Sequence, residues 1–426
     1  MSRAARAIVP SGTVGLVRVL LLFESSLYAA VTPILPHYAR TLHLAKPAVG
    51  VLAAAYTLGL LPGSVLGGWV ATRLGVRRTT TVGLVAFALG VAGFGFASSL
   101  LTLDLLRAIQ GVACGLIWGG ALTWVIAVTP VARRGATLGS VIGAATLGTL
   151  IGPLLGTIAV ATSTGLVFSA VGAVSLGLAA WVHPQPDPTP PAQAARAPRP
   201  RPARRLRERL PSLCSPGALG LYLGTWMILL EAMTFGATNA LLPLRLARFG
   251  GSAAAIGAAF VGAAALSTAL SPLIGRVTDR HGPRLPITVG LVLSAVLVPA
   301  LALPHSPALL AILAVLALGG PMTGYMIPAV STMTDSAERH GIALVVASSL
   351  FNLAYAAGET IGAPAAAVIS QASTDAVPLA GLGGLMLLTL IPARGLRKPP
   401  ARSAGDAPAR ESEPSGAGAQ PLAAPG

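Results

Sequence analysis

Twelve stretches of this chain are apolar over roughly the 20 residues that a helix needs to cross the hydrocarbon of a bilayer. They run over 14–38, 47–71, 79–99, 101–128, 136–160, 165–182, 218–246, 253–275, 286–303, 308–330, 342–369 and 376–392. In lipid every backbone amide must find its partner within its own segment, so the stretches read as helices. Only 10% of the residues are charged, against about a quarter in an average soluble chain, which leaves too little polar surface for a water-facing shell. The expected fold class is an all-α membrane protein with twelve transmembrane helices. The first stretch follows Arg3 and Arg6 but is too long for the apolar region of a signal peptide, so it stays a helix.

The formal charge of +16 invites a nucleic-acid reading, which the positions of the charges answer. With the N-terminus inside, the tails and even-numbered loops carry 24 of the 29 Lys and Arg residues. The outer loops hold Arg40, Lys46, Arg245 and Arg248, and Arg107 lies within a span. This is the positive-inside distribution. It implies a multi-pass protein of the inner or plasma membrane with both termini cytoplasmic, no nucleic-acid partner, and the lipid bilayer as its surroundings.

Residues 183–216 interrupt the pattern with ten prolines and seven arginines. Such a segment cannot bury a core and reads as a disordered cytoplasmic linker. The Ala-, Pro-, Gly- and Arg-rich residues 394–426 read as a disordered cytoplasmic tail. The expected division is a six-helix bundle over 1–182, the linker 183–216, a second bundle over 217–393, and the tail 394–426.

The two bundles are copies. A shift of 207 residues carries Thr81-Val-Gly-Leu-Val85 onto Thr288-Val-Gly-Leu-Val292, Glu24 onto Glu231, Leu35-Pro36 onto Leu242-Pro243, Gly50 onto Gly257 and Arg73 onto Arg280. An even number of spans separates the copies, so both point the same way through the membrane about an axis along its normal. In such a pair the substrate route lies between the halves.

The loops after spans 2 and 8 sit in this register. The first reads Gly68-Trp-Val-Ala-Thr72-Arg73-Leu-Gly75-Val-Arg77, and the second Gly275-Arg-Val-Thr-Asp279-Arg280-His-Gly282-Pro-Arg284. They resemble the signature loop of the major facilitator superfamily, G-x-x-x-D-R-x-G-x-[RK], fully in the second copy and with Thr72 in place of Asp in the first. In that family the Asp helps to latch the cytoplasmic side, so the resemblance leaves the latch of the first half in doubt. Span 4, with Leu103, Asp104, Arg107, Gln110 and Gly111, resembles a second family pattern whose Arg is tied to proton coupling, a role the resemblance places on Arg107. The residue-level alternative is an Arg paired only with Asp104 near the outer rim. Span 5 carries Gly148, Gly152, Pro153 and Gly156 in a spacing associated in the family with exporters. Span 1, with Glu24, Tyr28 and Val31-Thr-Pro-Ile-Leu-Pro36, is similar to the first helix of the twelve-span drug:proton antiporter branch and of vesicular amine transporters.

Of the 13 acidic residues only Glu24, Glu231 and Glu359 sit deep within spans. An ionisable group at such depth marks a functional site by default, and these three, with Arg107 and Asp104, are the candidate proton-coupling residues. Arg107 falls on one helix face with Gly111, Gly115 and Trp118; Asn352, Tyr355 and Glu359 share another. Tyr28, Gln110, Trp118, Phe235, Asn239, Tyr325, Asn352 and Tyr355 are the candidate substrate-binding residues. Trp124, Trp226 and Phe351 are further aromatics that such a pocket could use.

The function expected is secondary active transport, proton-coupled efflux of a small lipophilic or cationic compound by a monomer. An uptake symporter or uniporter of the same fold, or a non-transporting sensor or docking subunit, are the alternatives. Enzymatic readings are poor: the two lysines, Lys46 and Lys398, belong to no phosphate-binding loop. Cys114 and Cys214 form no metal-ligand spacing, and no metal or cofactor is expected.

Overall fold

The computed structural model describes residues 11–130, 133–187, 218–340, 342 and 344–396. Most of the linker, the tail beyond residue 396 and Cys214 lie outside the described residues, as do the side chains of Gly68 and Thr72. Among the described residues there is no strand.

The first half comprises α1 (Ser11–Ala30), a 3-10 turn (Thr32–Ile34), α2 (Leu35–Thr41), α3 (Lys46–Leu74), α4 (Val76–Phe96), α5 (Leu100–Val128), α6 (Arg134–Ala161) and α7 (Thr164–Val182). The second comprises α8 (Leu219–Arg248), α9 (Ala253–His281), α10 (Arg284–Ala300), α11 (Pro307–Gly319), α12 (Pro321–Arg339), α13 (Leu344–Ala372) and α14 (Ala376–Ala393). Ten helical stretches among the described residues are long and apolar enough to cross a membrane. The 17-residue α10 and the 29-residue α13 occupy the other two expected positions.

Two spans differ from the expected unbroken rods. The first is divided between α1 and α2, because Pro33 and Pro36 lack the amide hydrogens that would continue the ladder and the intervening turn tightens to 3-10 geometry. The tenth breaks at Gly320 and runs on to Arg339, nine residues past the expected end at 330. Serines fix three starts: Ser99, Ser163 and Ser252 each accept the backbone N–H of the third residue onward. Gly75 and Gly282 end α3 and α9 at φ of 86° and 83°. Side chains rarely adopt that region, which accounts for glycine at this place in both signature loops.

Each half has its own apolar core, one anchored by Leu52, Phe87, Phe94 and Trp124, the other by Met227, Leu291, Tyr325 and Met386. Within each half a long helix packs on its neighbour through glycine. Gly148, Gly152 and Gly156 of α6 lie against the backbone at Leu22, Ser26 and Ala30 of α1. Gly358 and Gly362 of α13 lie against Leu229 and Met233 of α8. Leu229 and Met233 are the 207-residue counterparts of Leu22 and Ser26, so the exporter-like glycine row of span 5 has an equivalent in span 11. The glycines themselves are 210 residues apart, so the sequence shift slips by three before α13 and hides the match.

The halves meet at one face of the membrane. Their hydrogen bonds among the described residues are Tyr28–Glu359 (2.5 Å), Thr32–Asn239 (2.7 Å), Thr360–Thr57 (3.1 Å), Lys46–Ser370 (2.7 Å), Lys46–Asp375 (2.6 Å) and Thr157 to the Ala253 carbonyl (3.3 Å). All lie between the middle of the spans and the end that carries Lys46 and Asp375, here the sealed face. Toward the opposite, basic face, which carries Arg77 and Arg284, the helices part. No hydrogen bond among the described residues joins the halves on that side of Tyr28–Glu359.

Candidate functional site

The polar groups of the membrane interior gather where α1, α3, α5 and α13 converge. Glu24 of α1, 2% exposed, is the most heavily bonded of the three acids within spans. It accepts a short hydrogen bond from the Tyr56 hydroxyl, one of 2.8 Å from Trp118 Nε1, and one of 3.4 Å from Ser25. Tyr56, from α3, was not among the sequence candidates. A lone tyrosine in an apolar helix reads as packing, and only the fold shows that it links an acid to a base. Its ring lies beneath the Arg107 guanidinium, 4.7 Å from carbon to ring centroid.

Arg107 is 2% exposed. Its Nη1 donates to Gln110 Oε1 at 3.0 Å, and Gln110 in turn donates to the Gly90 carbonyl at 2.9 Å. Gln110 therefore orients the guanidinium and does not line a pocket. The alternative pairing is contradicted: Asp104 makes no ion pair with Arg107, and its Oδ1 is buried with no hydrogen-bond partner. Glycines let α5 come this close, since Gly111 abuts the Tyr56 carbonyl and Gly115 the backbone of Gly63.

Across the gap stands Glu359 of α13, 1% exposed. The Tyr28 hydroxyl donates to its Oε1 at 2.5 Å, and the Tyr28 ring is 5.0 Å from that of Tyr56. Glu24, Tyr56, Tyr28 and Glu359 thus form one chain from the first half to the second. Glu359 Oε2 is buried without a partner, as is Glu231 Oε2. Unpartnered buried carboxyl oxygens are rare in folded proteins, and each calls for a reason. Glu231, half-buried on α8, is a charge neighbour of Glu359 and Tyr355 but makes no hydrogen bond to the chain among the described residues.

The remaining candidates divide. Tyr355 and Phe351 stack at 6.1 Å beside Glu359, and Asn352 on the same face is exposed. Phe235 is half-buried against the second core. Asn239 is spent on Thr32. Three of the expected aromatics stand away from the acid chain. Tyr325 is fully enclosed in the second core and Trp124 in the first. Trp226 is 38% exposed and bonds to Thr389. Helical spacing placed these rings on plausible faces but could not tell which face each bundle buries.

Of the signature-loop residues, Arg73 lies over the Trp69 ring at 4.3 Å. Arg77 ties its loop to the chain after α7, through its N–H to Asp187 (2.7 Å) and its side chain to the His183 carbonyl (3.1 Å). Asp279 is exposed and forms no ion pair among the described residues, so the second-half latch is unmade in this conformation.

At the sealed face Asp375, 9% exposed, is held between Lys46 of the first half (2.6 Å) and Arg245 of the second (3.2 Å), with Ser370 also donating. Burial pushes its carboxyl up, but the bonds from Lys46, Ser370 and Arg245 and the Lys46 charge outweigh that and hold it below the usual aspartate value. In the sequence Lys46 and Arg245 served only as topological counts.

Two pseudo-symmetric helical bundles that enclose a buried acid–base chain, sealed at one face and parted at the other, define the multi-pass transporter class of membrane protein. The sequence model of the Major Facilitator Superfamily matches residues 18–244 and again 224–424, and the chain belongs to that family. It is similar to the quinolone resistance protein NorA of Staphylococcus aureus strain MRSA252, 28% identical over 152 residues, which are 36% of this chain and 39% of that relative. The matched stretch therefore covers about two-fifths of the relative's length. Among solved structures, a bacterial homologue of the human lysosomal transporter Spinster, inward-facing and occupied, superposes at a TM-score of 0.72 with 15% identity, over 93% of this chain and 96% of that one. The nucleoside transporter NupG does so at 0.70 with 12% identity, over 90% and 99%.

Proposed function

We propose that the protein exports a small lipophilic or cationic compound in exchange for protons, as a monomer, with both termini in the cytoplasm and the two bundles rocking about the buried acids. On this topology the parted, basic face is cytoplasmic and the sealed face is outside. The observation that carries the reading is the hydrogen bond from Tyr28 to Glu359, because it makes one ionisable carboxyl part of the contact between the halves. Protonating Glu359 discharges it in a region where a bare charge costs several kcal/mol, and a cationic solute beside it supplies the same compensation. Proton and solute therefore compete for the site, which is the requirement for antiport. Glu24, joined through Tyr56 to the fixed charge of Arg107, places a second titratable carboxyl within the same chain, and Glu231 supplies a third acid. Three carboxyls against one guanidinium favour a cation, and the Phe351–Tyr355 stack favours an aromatic or apolar body. The similarity to a quinolone resistance protein supports the direction and the class of solute.

Everted vesicles acidified inside and loaded with a pH dye test this. Adding a transported cationic compound is expected to release protons from the lumen. Replacing Glu24, Glu231 and Glu359 together by Gln is expected to abolish that release while purified protein remains monodisperse. Solute-induced release that survives the triple replacement would exclude these residues as the carriers.

A further inference from the structure

The signature loops of the two halves are copies, yet their surroundings at the basic face differ in charge. In the first half the segment after α7 brings an acid to the loop: Asp187 receives the Arg77 N–H and lies 3.5 Å from Arg77 Nε. In the second half the segment after α14 brings Arg394 instead. His281, Gly282, Pro283, Arg284, Arg394, Gly395 and Leu396 surround a cleft of about 570 Å³, and no carboxylate is among its described walls. The loop's own acid, Asp279, does not reach it. Two arginines and a histidine thus line one recess without the counter-charge that the equivalent place possesses.

The flanks say which anion. Leu285, directly after Arg284, is 52% exposed, and Leu388 and Ile391 on the last turns of α14 are 61% and 63% exposed. α10 and α14 pack against each other, so an apolar surface rises from the rim of the cleft into the membrane. A free oxyanion has no use for that surface, whereas a phospholipid fills both parts.

We propose that this cleft binds the phosphate headgroup of an anionic phospholipid, with Arg284 and Arg394 as its principal ligands, His281 at its edge, and the acyl chains along α10 and α14. Guanidiniums match phosphate oxygens with paired donors, and basic recesses at this membrane depth suit such headgroups. The site lies apart from the buried acid chain and stands whether or not that chain carries protons.

Native mass spectrometry of the full chain, purified from mixed phosphatidylglycerol and phosphatidylcholine, tests it. The wild type is expected to retain phosphatidylglycerol over phosphatidylcholine by at least tenfold. Arg284→Ala with Arg394→Ala is expected to lose most of that preference, Arg284→Lys with Arg394→Lys to keep part of it, and Arg248→Ala, at the sealed face, to keep all of it. Equal retention by the double alanine variant, judged on protein that elutes as a single species, would overturn the assignment. So would release of the lipid by millimolar inorganic phosphate, which would make the cleft a site for the free ion.

Discussion

Thr32 and Asn239 occupy the same position in the two copies of the repeat, 207 residues apart, and they hydrogen-bond to each other at 2.7 Å. Two equivalent residues can touch only where the symmetry axis passes between them, so this pair marks a point on the axis, one helical turn from Tyr28 toward the sealed face. A short bifunctional thiol reagent is expected to join Thr32→Cys to Asn239→Cys in a background free of Cys114 and Cys214. Transport is expected to fall more than tenfold and to return on reduction. Efficient cross-linking with full transport would mean that the halves do not separate here.

The sealed face is fastened by Asp375, which bonds to Lys46 of one half and Arg245 of the other. Its carboxyl is held below the usual value of about 3.9, despite burial, chiefly by Lys46 and Ser370. A depressed value means that the clasp is fully present above the unperturbed aspartate range and is lost only as pH falls through the lowered value. Closure of this face is therefore expected to be constant from about pH 5 upward and to loosen only in stronger acid. Asp375→Asn is expected to loosen it at neutral pH, read as faster labelling by an impermeant thiol reagent of a cysteine replacing Thr57, which is buried and bonds to Thr360 across the halves.

Arg107 is defined by two contacts that differ in kind, the donor bond to Gln110 and the stack on Tyr56. An ammonium has no plane to stack and cannot hold both. Arg107→Lys is accordingly expected to reduce transport by about tenfold or more, an effect on the scale of about 1.4 kcal/mol or above, while leaving expression intact. Proton-release assays in vesicles check this.

The two glycine rows predict parallel sensitivity. Gly152→Leu forces a side chain into Ser26 and Ala29, and Gly362→Leu into Met233. Overpacking of this kind costs about 1–3 kcal/mol. Both variants are expected to melt several degrees lower in detergent, whereas Gly143→Leu, with open space beside it, is expected to melt like the wild type.

Much of this was legible in the sequence because hydrophobic length, charge asymmetry and the repeat are properties of the chain itself. The register that equated residue 32 with residue 239 and Gly75 with Gly282 holds in the fold, and Glu24, Arg107 and Glu359 do share one buried cluster. What stayed hidden depends on long-range contact. Tyr56 gains its role only when α3 lies against α5. Lys46 and Arg245 become a clasp only when Asp375 arrives between them, and the glycines of α13 are masked by a three-residue slip. That Tyr325 and Trp124 are enclosed in the two cores and that Trp226 bonds to Thr389 was equally hidden, because a helix in a bundle has more than one apolar face and spacing cannot rank them.

The central claim is that the acid chain opens to one side of the membrane at a time. Accessibility of single cysteines at Asn352 and Tyr355, beside Glu359, measures it in right-side-out and everted vesicles, with and without Lys46→Ala and Asp375→Asn. The account predicts labelling from the basic face alone in the unmodified clasp and a shift toward labelling from the sealed face when the clasp is removed. Labelling from neither face in either background, or from both faces at once, would contradict it.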